Sequence, residues 1–223
     1  GDEDTPPIDL GGNWSYDWSP DGKEIAYAKS ADPAVAISTN NDLYVVAVTG
    51  GTAKKITDNP GNDSQPLYSP DGKYIAWLQM KRAGFEADEK QLILYERSTG
   101  KRRNVTERFD YSLNDVLWTP DSKTIYYNAD DKSNESLFRL DVASGKVDVV
   151  VDKGYNHSLR ILPSGKALVF VKESINRPAE ICRIDLGAKD VRRLSSTNDE
   201  KLSHVEMNPK EDFWFDGEEG AKV

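Results

Sequence analysis

Trp18-Ser19-Pro20-Asp21-Gly22-Lys23-Glu24-Ile25-Ala26-Tyr27-Ala28 reads as strand, tight turn, strand. Proline presets φ for the first central turn position, Ser and Asp side chains bond their own backbone, and glycine takes the conformation that other residues resist. Asp-Gly between apolar alternations is a strong hairpin signal. The string returns as Tyr68-Ser69-Pro70-Asp71-Gly72-Lys73-Tyr74-Ile75-Ala76-Trp77 and as Trp118-Thr119-Pro120-Asp121-Ser122-Lys123-Thr124-Ile125-Tyr126-Tyr127. A worn fourth copy is Leu162-Pro163-Ser164-Gly165-Lys166-Ala167-Leu168-Val169-Phe170. The four prolines are spaced by 50, 50 and 43 residues. A period of about 40–50 residues with several short strands per unit is the signature of propeller blades. The turn itself is a structural device.

The expected fold is therefore all-β, a β-propeller fragment of about four blades, each of four antiparallel strands. The blades are expected at 1–57, 58–106, 107–152 and 153–194. Thr49-Gly50-Gly51, Ser98-Thr99-Gly100-Lys101 and Ala143-Ser144-Gly145-Lys146 read as outer turns between third and fourth strands. Alternation such as Leu137, Arg139 and Asp141 against Phe138 and Leu140 fits strands with unequal faces. The second unit carries a longer insertion, Lys81 to Lys90, between its second and third strands. Residues 195–223 read as a polar linker, then a strand through Phe213-Trp214-Phe215, an acidic glycine turn and the start of another strand. No long amphipathic helix is expected.

Composition narrows the partners. The formal net charge is −9, and an acidic surface repels phosphate backbones and anionic membranes, so neither nucleic acid nor membrane is an expected partner. No apolar run approaches the ~20 residues that a membrane helix needs. The single cysteine, Cys182, excludes an internal disulfide and lies in an apolar-alternating strand, as a buried inert thiol does. Asn-x-Ser/Thr sequons at Asn13, Asn62, Asn104, Asn134 and Asn156 matter only in a glycosylating pathway.

Side-chain constellations that could carry chemistry are sparse. No Gly-x-Ser-x-Gly elbow occurs, and the two histidines read as surface or structural: His157 in a loop opening the fourth blade, His204 in the linker. Ser98 and Lys101 match a Ser-x-x-Lys pattern inside an outer turn, where it is fortuitous. Asp130-Asp131-Lys132-Ser133-Asn134-Glu135 gathers oxygen ligands but lacks the spacing and glycine of a calcium loop, and reads as a solvated hairpin tip. No catalytic residue, metal site or cofactor is assigned. Within the insertion, Arg82 and Glu86 are the candidate substrate-facing residues, able to hold a substrate terminus by charge-assisted bonds.

Three stretches carry a more specific resemblance: Arg82-Ala83-Gly84-Phe85-Glu86-Ala87-Asp88; Arg177-Pro178-Ala179-Glu180-Ile181-Cys182-Arg183-Ile184-Asp185 with Arg193-Leu194-Ser195 and Asn198; and Glu211 to Val223. With the repeated turn, they resemble the propeller of the prolyl-oligopeptidase family of serine peptidases, in its dipeptidyl-peptidase V and acylaminoacyl-peptidase branch. The resemblance implies peptide hydrolysis by a Ser-Asp-His triad on an α/β-hydrolase domain outside this chain, toward which 195–223 would lead. It implies a propeller that caps the active site and restricts substrate size, inactive alone, with peptide substrates as partners through the catalytic domain. The turn motif is shared with Tol-type envelope propellers, so a protein-binding envelope module is the alternative; a carbohydrate-binding propeller is a more distant one. A periplasmic or envelope location is favoured over the cytoplasm.

Four blades in an open arc would leave an apolar face wet at each end. With about five side chains per face at ~1.5–3 kcal/mol each, the deficit is on the order of 10 kcal/mol per end. Such ends are expected to self-associate, to close as a strained four-blade ring, or to be covered by the termini.

Overall fold

The structure, a computed structural model, describes residues 15–30, 32 and 38–220. The first blade is β1 (Tyr16–Trp18), β2 (Glu24–Lys29), β3 (Asp42–Ala47) and β4 (Lys54–Lys55). The second is β5 (Asp63–Tyr68), β6 (Tyr74–Gln79), β7 (Gln91–Glu96) and β8 (Arg102–Asn104). The third is β9 (Leu113–Trp118), β10 (Thr124–Asp131), β11 (Asn134–Asp141) and β12 (Val147–Val151). The fourth is β13 (Tyr155–Ile161), β14 (Ala167–Ser174), β15 (Arg177–Asp185) and β16 (Arg192–Arg193). Within each blade consecutive strands pair antiparallel, and a parallel bridge between Glu135 and Tyr155 joins the third and fourth blades into one eight-stranded sheet. An isolated parallel bridge between Asn41 and Asn62 links the first two blades in the same manner.

The turns do what their residues dictate. Ser19 Oγ donates to Asp21 Oδ1 (2.8 Å), and the Gly22 N–H donates to the Ser19 carbonyl (2.8 Å) with φ at +68°. Ser69, Asp71 and Gly72 repeat this arrangement, as do Thr119 and Asp121. In the fourth copy the Asp is missing, yet the Gly165 N–H still reaches the Leu162 carbonyl at 2.8 Å.

Alternate side chains of each strand enter different seams between blades. Ala26, Leu43 and Ile56 meet Tyr68, Ile75 and Trp77 between the first and second blades. Leu78, Leu92 and Leu94 meet Trp118, Ile125 and Tyr127 between the second and third. Tyr126, Leu137 and Val151 meet Leu168, Phe170 and Cys182 between the third and fourth. Each fully buried side chain of this size contributes about 1.5–3 kcal/mol, against ~1 kcal/mol or less for an exposed ion pair such as Lys23–Asp21. The seams therefore hold the arc together. Among the described residues, no such cluster joins the fourth blade to the first, so a closed four-blade ring is not what forms.

A second repeated device closes the blades at the other end. The Leu43 N–H donates to Thr57 Oγ1 (2.9 Å), the Leu92 N–H to Thr106 Oγ1 (2.8 Å), and the Ile181 N–H to Ser195 Oγ (2.9 Å). Asn62 and Asn156 are buried at the blade links, so these two sequon asparagines are structural and cannot carry a glycan in the folded chain.

Two local readings are corrected. His157 lies within β13, paired with Val171, and not in a loop. The segment through Phe213-Trp214-Phe215 forms no regular strand: only an isolated bridge at Asp216 and a 3₁₀ turn, Glu218–Gly220, follow the four-residue helix α1 (Asp199–Leu202). An apolar run becomes a strand only where an edge offers ladder partners. This segment is instead tethered by side chains: Lys210 Nζ donates to Ser133 Oγ (2.6 Å) and Ser133 Oγ lies 2.7 Å from Asp212 Oδ1.

Candidate functional site

An antiparallel meander sends its connections alternately to two ends. The Pro-containing and outer turns share one end. The other end collects the second-to-third strand connections and the links between blades, and the described connections of greatest length and chemical variety stand there.

The insertion 81–90 is folded on itself. One carboxylate oxygen of Asp88 accepts the N–H groups of Lys81 and Arg82, both at 2.8 Å. The Gly84 N–H donates to Thr39 Oγ1 (2.9 Å), pinning the insertion to the first blade's connection. The Arg82 guanidinium lies over the Phe85 ring, 4.1 Å from its centroid. Arg82, Phe85 and Glu86 are all exposed, and Arg82 and Glu86 do not pair with one another. Both candidate residues thus stand exposed on a pre-shaped loop at this end.

A cleft of about 800 Å³ opens at the same end, between the tip of the β10–β11 hairpin, the start of β13, the end of β14 and the tethered tail. Asn134, Tyr155, Glu173, Lys210 and Asp212 line it, giving carboxylates, an ammonium and an aromatic face within one opening. The structure does not bring Arg82 or Glu86 into it.

Glu135, at the β11 end of the blade link, is only 4% exposed. Its Oε1 accepts from Asn128 Nδ2 (2.7 Å), while Oε2 has no partner. Burial, with the charges of Asp130, Asp115 and Glu173, pushes its carboxyl up to about 7. At the first link, Asp63 is fully buried and accepts from Trp77 Nε1 (2.8 Å) and Gln79 Nε2 (3.0 Å); burial pushes it up to about 6. Sequence reading missed both acids. Their signal was a carboxylate at the start of a strand, which is indistinguishable in sequence from a solvated strand end.

His157 Nδ1 lies 3.0 Å from Ser158 Oγ, and its Nε2 lies 3.7 Å from Glu173 Oε1. This is not a nucleophilic triad. The carboxylate is beyond hydrogen-bond reach, and the Ser158 N–H, the nearest oxyanion donor, is already given to Asp115 Oδ2 at 2.5 Å. The Asp130–Glu135 stretch is the β10–β11 hairpin, and the described residues hold no group of three or more metal-ligating side chains.

Face-packed blades of four antiparallel strands define the class of this chain: a β-propeller. No family model matches it. It is 31% identical over 211 residues to dipeptidyl-peptidase 5 of Porphyromonas gingivalis, which covers 93% of this chain and 31% of that protein. An acylaminoacyl peptidase solved with Z-Gly-Gly-Phe-chloromethyl ketone superposes with a TM-score of 0.72 at 16% identity, covering 93% of this chain and 31% of that one. TolB of Agrobacterium tumefaciens superposes with a TM-score of 0.64 at 20% identity, covering 81% and 64%. The structural likenesses show the propeller fold. The sequence relative is similar along nearly the whole of this chain. The chain spans about a third of the length of the curated relatives it matches.

Proposed function

We propose that this chain is the non-catalytic propeller portion of a serine peptidase of dipeptidyl or acylaminoacyl type. Peptide bonds would be cut in a catalytic domain outside these residues, and the propeller caps that domain and limits substrate size. The match to dipeptidyl-peptidase 5 across nearly the whole chain carries the reading. Its partners are peptide substrates reached through the catalytic domain, and the chemistry calls for no cofactor. Arg82 and Glu86, presented on the insertion that Asp88 and Thr39 hold in shape, face the substrate and hold its charged terminus.

The test is a peptide-length series with the longer protein. Arg82→Ala and Glu86→Gln should raise KM for substrates with a free charged terminus while leaving kcat nearly unchanged. An unaltered KM in both variants would remove these residues from the substrate path. A Tol-type protein-binding module is the second reading, favoured by the larger share of the TolB chain that this one covers. It predicts no peptide hydrolysis by the longer protein.

A further inference from the structure

We infer that a single proton, shared between Glu135 and Asn128, locks the joint between the third and fourth blades, and that its release opens the joint and reshapes the cleft beside it.

The joint is narrow. A parallel bridge pairs Glu135 with Tyr155, the Glu135 N–H donates to the Gly154 carbonyl (3.0 Å), and Asn156 Nδ2 donates to the Glu135 carbonyl (2.7 Å). Asn134, Gly154 and Tyr155 are also walls of the cleft, so the joint and the cleft share residues.

Inside the joint one hydrogen is missing. Asn128 Nδ2 gives its two hydrogens to Glu135 Oε1 (2.7 Å) and to the Asn156 carbonyl (3.0 Å). Two acceptors are then left bare: Asn128 Oδ1 and Glu135 Oε2 are both buried and have no donor. Buried polar atoms are nearly always met. A neutral carboxyl and a carboxamide pair through two hydrogen bonds. The amide N–H donates to one carboxyl oxygen, and the carboxyl O–H donates back to the amide oxygen. The first of these bonds is in place, and a proton on Glu135 Oε2 supplies the second. The same deficit recurs at the first link. There Asn41 Oδ1 and Asp63 Oδ2 are buried without a donor, on residues joined by the Asp63 N–H and the Asn41 carbonyl (2.9 Å).

The surroundings hold the proton in place. Asp115 of β9, Asp130 of β10 and Glu173 of β14 face Glu135, and all three oppose its ionisation; the Asn114 side chain of β9 favours it. The Tyr155 phenol of β13 is itself pushed up by Glu135 and stays neutral. The nearby cations have other partners. Lys172 Nζ meets the Lys153 carbonyl and Asn156 Oδ1 (3.3 Å), Lys210 Nζ meets Asn134 Oδ1 (3.1 Å), and His157 Nε2 faces Glu173 (3.7 Å). Burial and the three carboxylates raise Glu135 from 4.5 to about 7, so the lock is closed below that pH and opens as pH rises through it. Once the proton has gone to solvent, Glu135 is a buried carboxylate facing three others. Moving the β10–β11 tip outward relieves this, and it breaks the bridge to Tyr155.

The experiment uses this chain, Glu135→Gln and Asn128→Leu. Infrared spectra of the unaltered chain should show a protonated carboxyl near pH 6 that is lost by about pH 8 and is absent from Glu135→Gln. Amide exchange, corrected for the intrinsic rate at each pH, should lose about tenfold in protection at residues 134, 135 and 154 over the same interval. Glu135→Gln should show no such loss, because its own amide donates to Asn128 at every pH. Asn128→Leu should be poorly protected there already near pH 6. A Glu135 ionised at pH 6 would overturn the inference. So would protection that falls equally in the unaltered chain and Glu135→Gln, or an Asn128→Leu chain as well protected as the unaltered one.

Discussion

Ser122 Oγ accepts the N–H of Asp71 at 2.9 Å, tying the third blade's turn to that of the second. Ser122 stands at φ +60°, where the other copies of the turn have Gly22, Gly72 and Gly165. The left-handed conformation costs a side chain roughly 1 kcal/mol or more, and the hydrogen bond between blades offsets it. Ser122→Ala keeps the strain and loses the bond, and should lower stability by about 1–2 kcal/mol; Ser122→Gly loses both and should cost less. Urea unfolding of the two variants checks the order, and an alanine variant as stable as the glycine one contradicts it.

Asn156 is fully buried, and its Nδ2 reaches the carbonyl oxygens of Glu135 (2.7 Å), Lys153 (3.1 Å) and Gly154 (3.2 Å) at the link between the last two blades. Asn156→Ala removes the buried bond to the Glu135 carbonyl, while the Gly154 carbonyl keeps the Glu135 N–H and the Lys153 carbonyl keeps Lys172 Nζ, and should cost about 1–3 kcal/mol. Hydrogen exchange should rise first in β13 and β14. A loss below about 0.5 kcal/mol would show that the third seam, not the amide, holds the link.

The two buried acids set a pH dependence. Glu135 is raised from an ordinary 4.5 to about 7 and Asp63 from 3.8 to about 6, so the fold favours their protonated forms. Their contribution is complete below pH 4 and is lost as pH rises through 6 to 7. For Glu135 the loss is about 3 kcal/mol at most. Glu135→Gln keeps an acceptor for Asn128 and removes the charge. It should be more stable than the unaltered chain at pH 8 and no more stable at pH 4. Parallel stability-versus-pH curves for the two proteins would mean that Glu135 does not titrate as described.

The insertion should be rigid. Asp88 gathers two N–H groups at its neck, so Asp88→Ala should loosen residues 81–87 while leaving the seams intact. Proteolysis within the insertion should accelerate with little change in melting temperature. If the melting temperature falls by as much as it does for a seam substitution, the insertion is part of the core of the fold.

Much of this architecture was legible in the repeated turn, because its chemistry is local: proline, a hydroxyl, a carboxylate and a glycine need only one another. Strand positions followed from it, even in the worn copy at Pro163. What stayed hidden depends on contacts from another blade. Gln65, Asp115 and Ser158 adopt positive φ at matching bulges in the first strand of their blades. The bulged N–H groups of Gln65 and Ser158 are accepted by Ser15 Oγ and Asp115 Oδ2 of the preceding blade. Nothing local to Ser158 announces that acceptor, so His157 beside it looked like loop. The Phe213-Trp214-Phe215 run has the composition of a strand and lacks an edge to join. Arg82 and Glu86 are candidates by their segment alone, whereas the cleft beside Tyr155 and Glu173 exists only because the tail returns to Ser133.

The most direct measurement compares this chain with the longer protein on dipeptidyl and acyl-aminoacyl chromogenic substrates, side by side. The account predicts turnover by the longer protein, none by this chain, and a fall in the longer protein's rate as the peptide lengthens. Turnover by the isolated chain, or a longer protein inert on every such substrate, would contradict it and leave the protein-binding propeller as the better description.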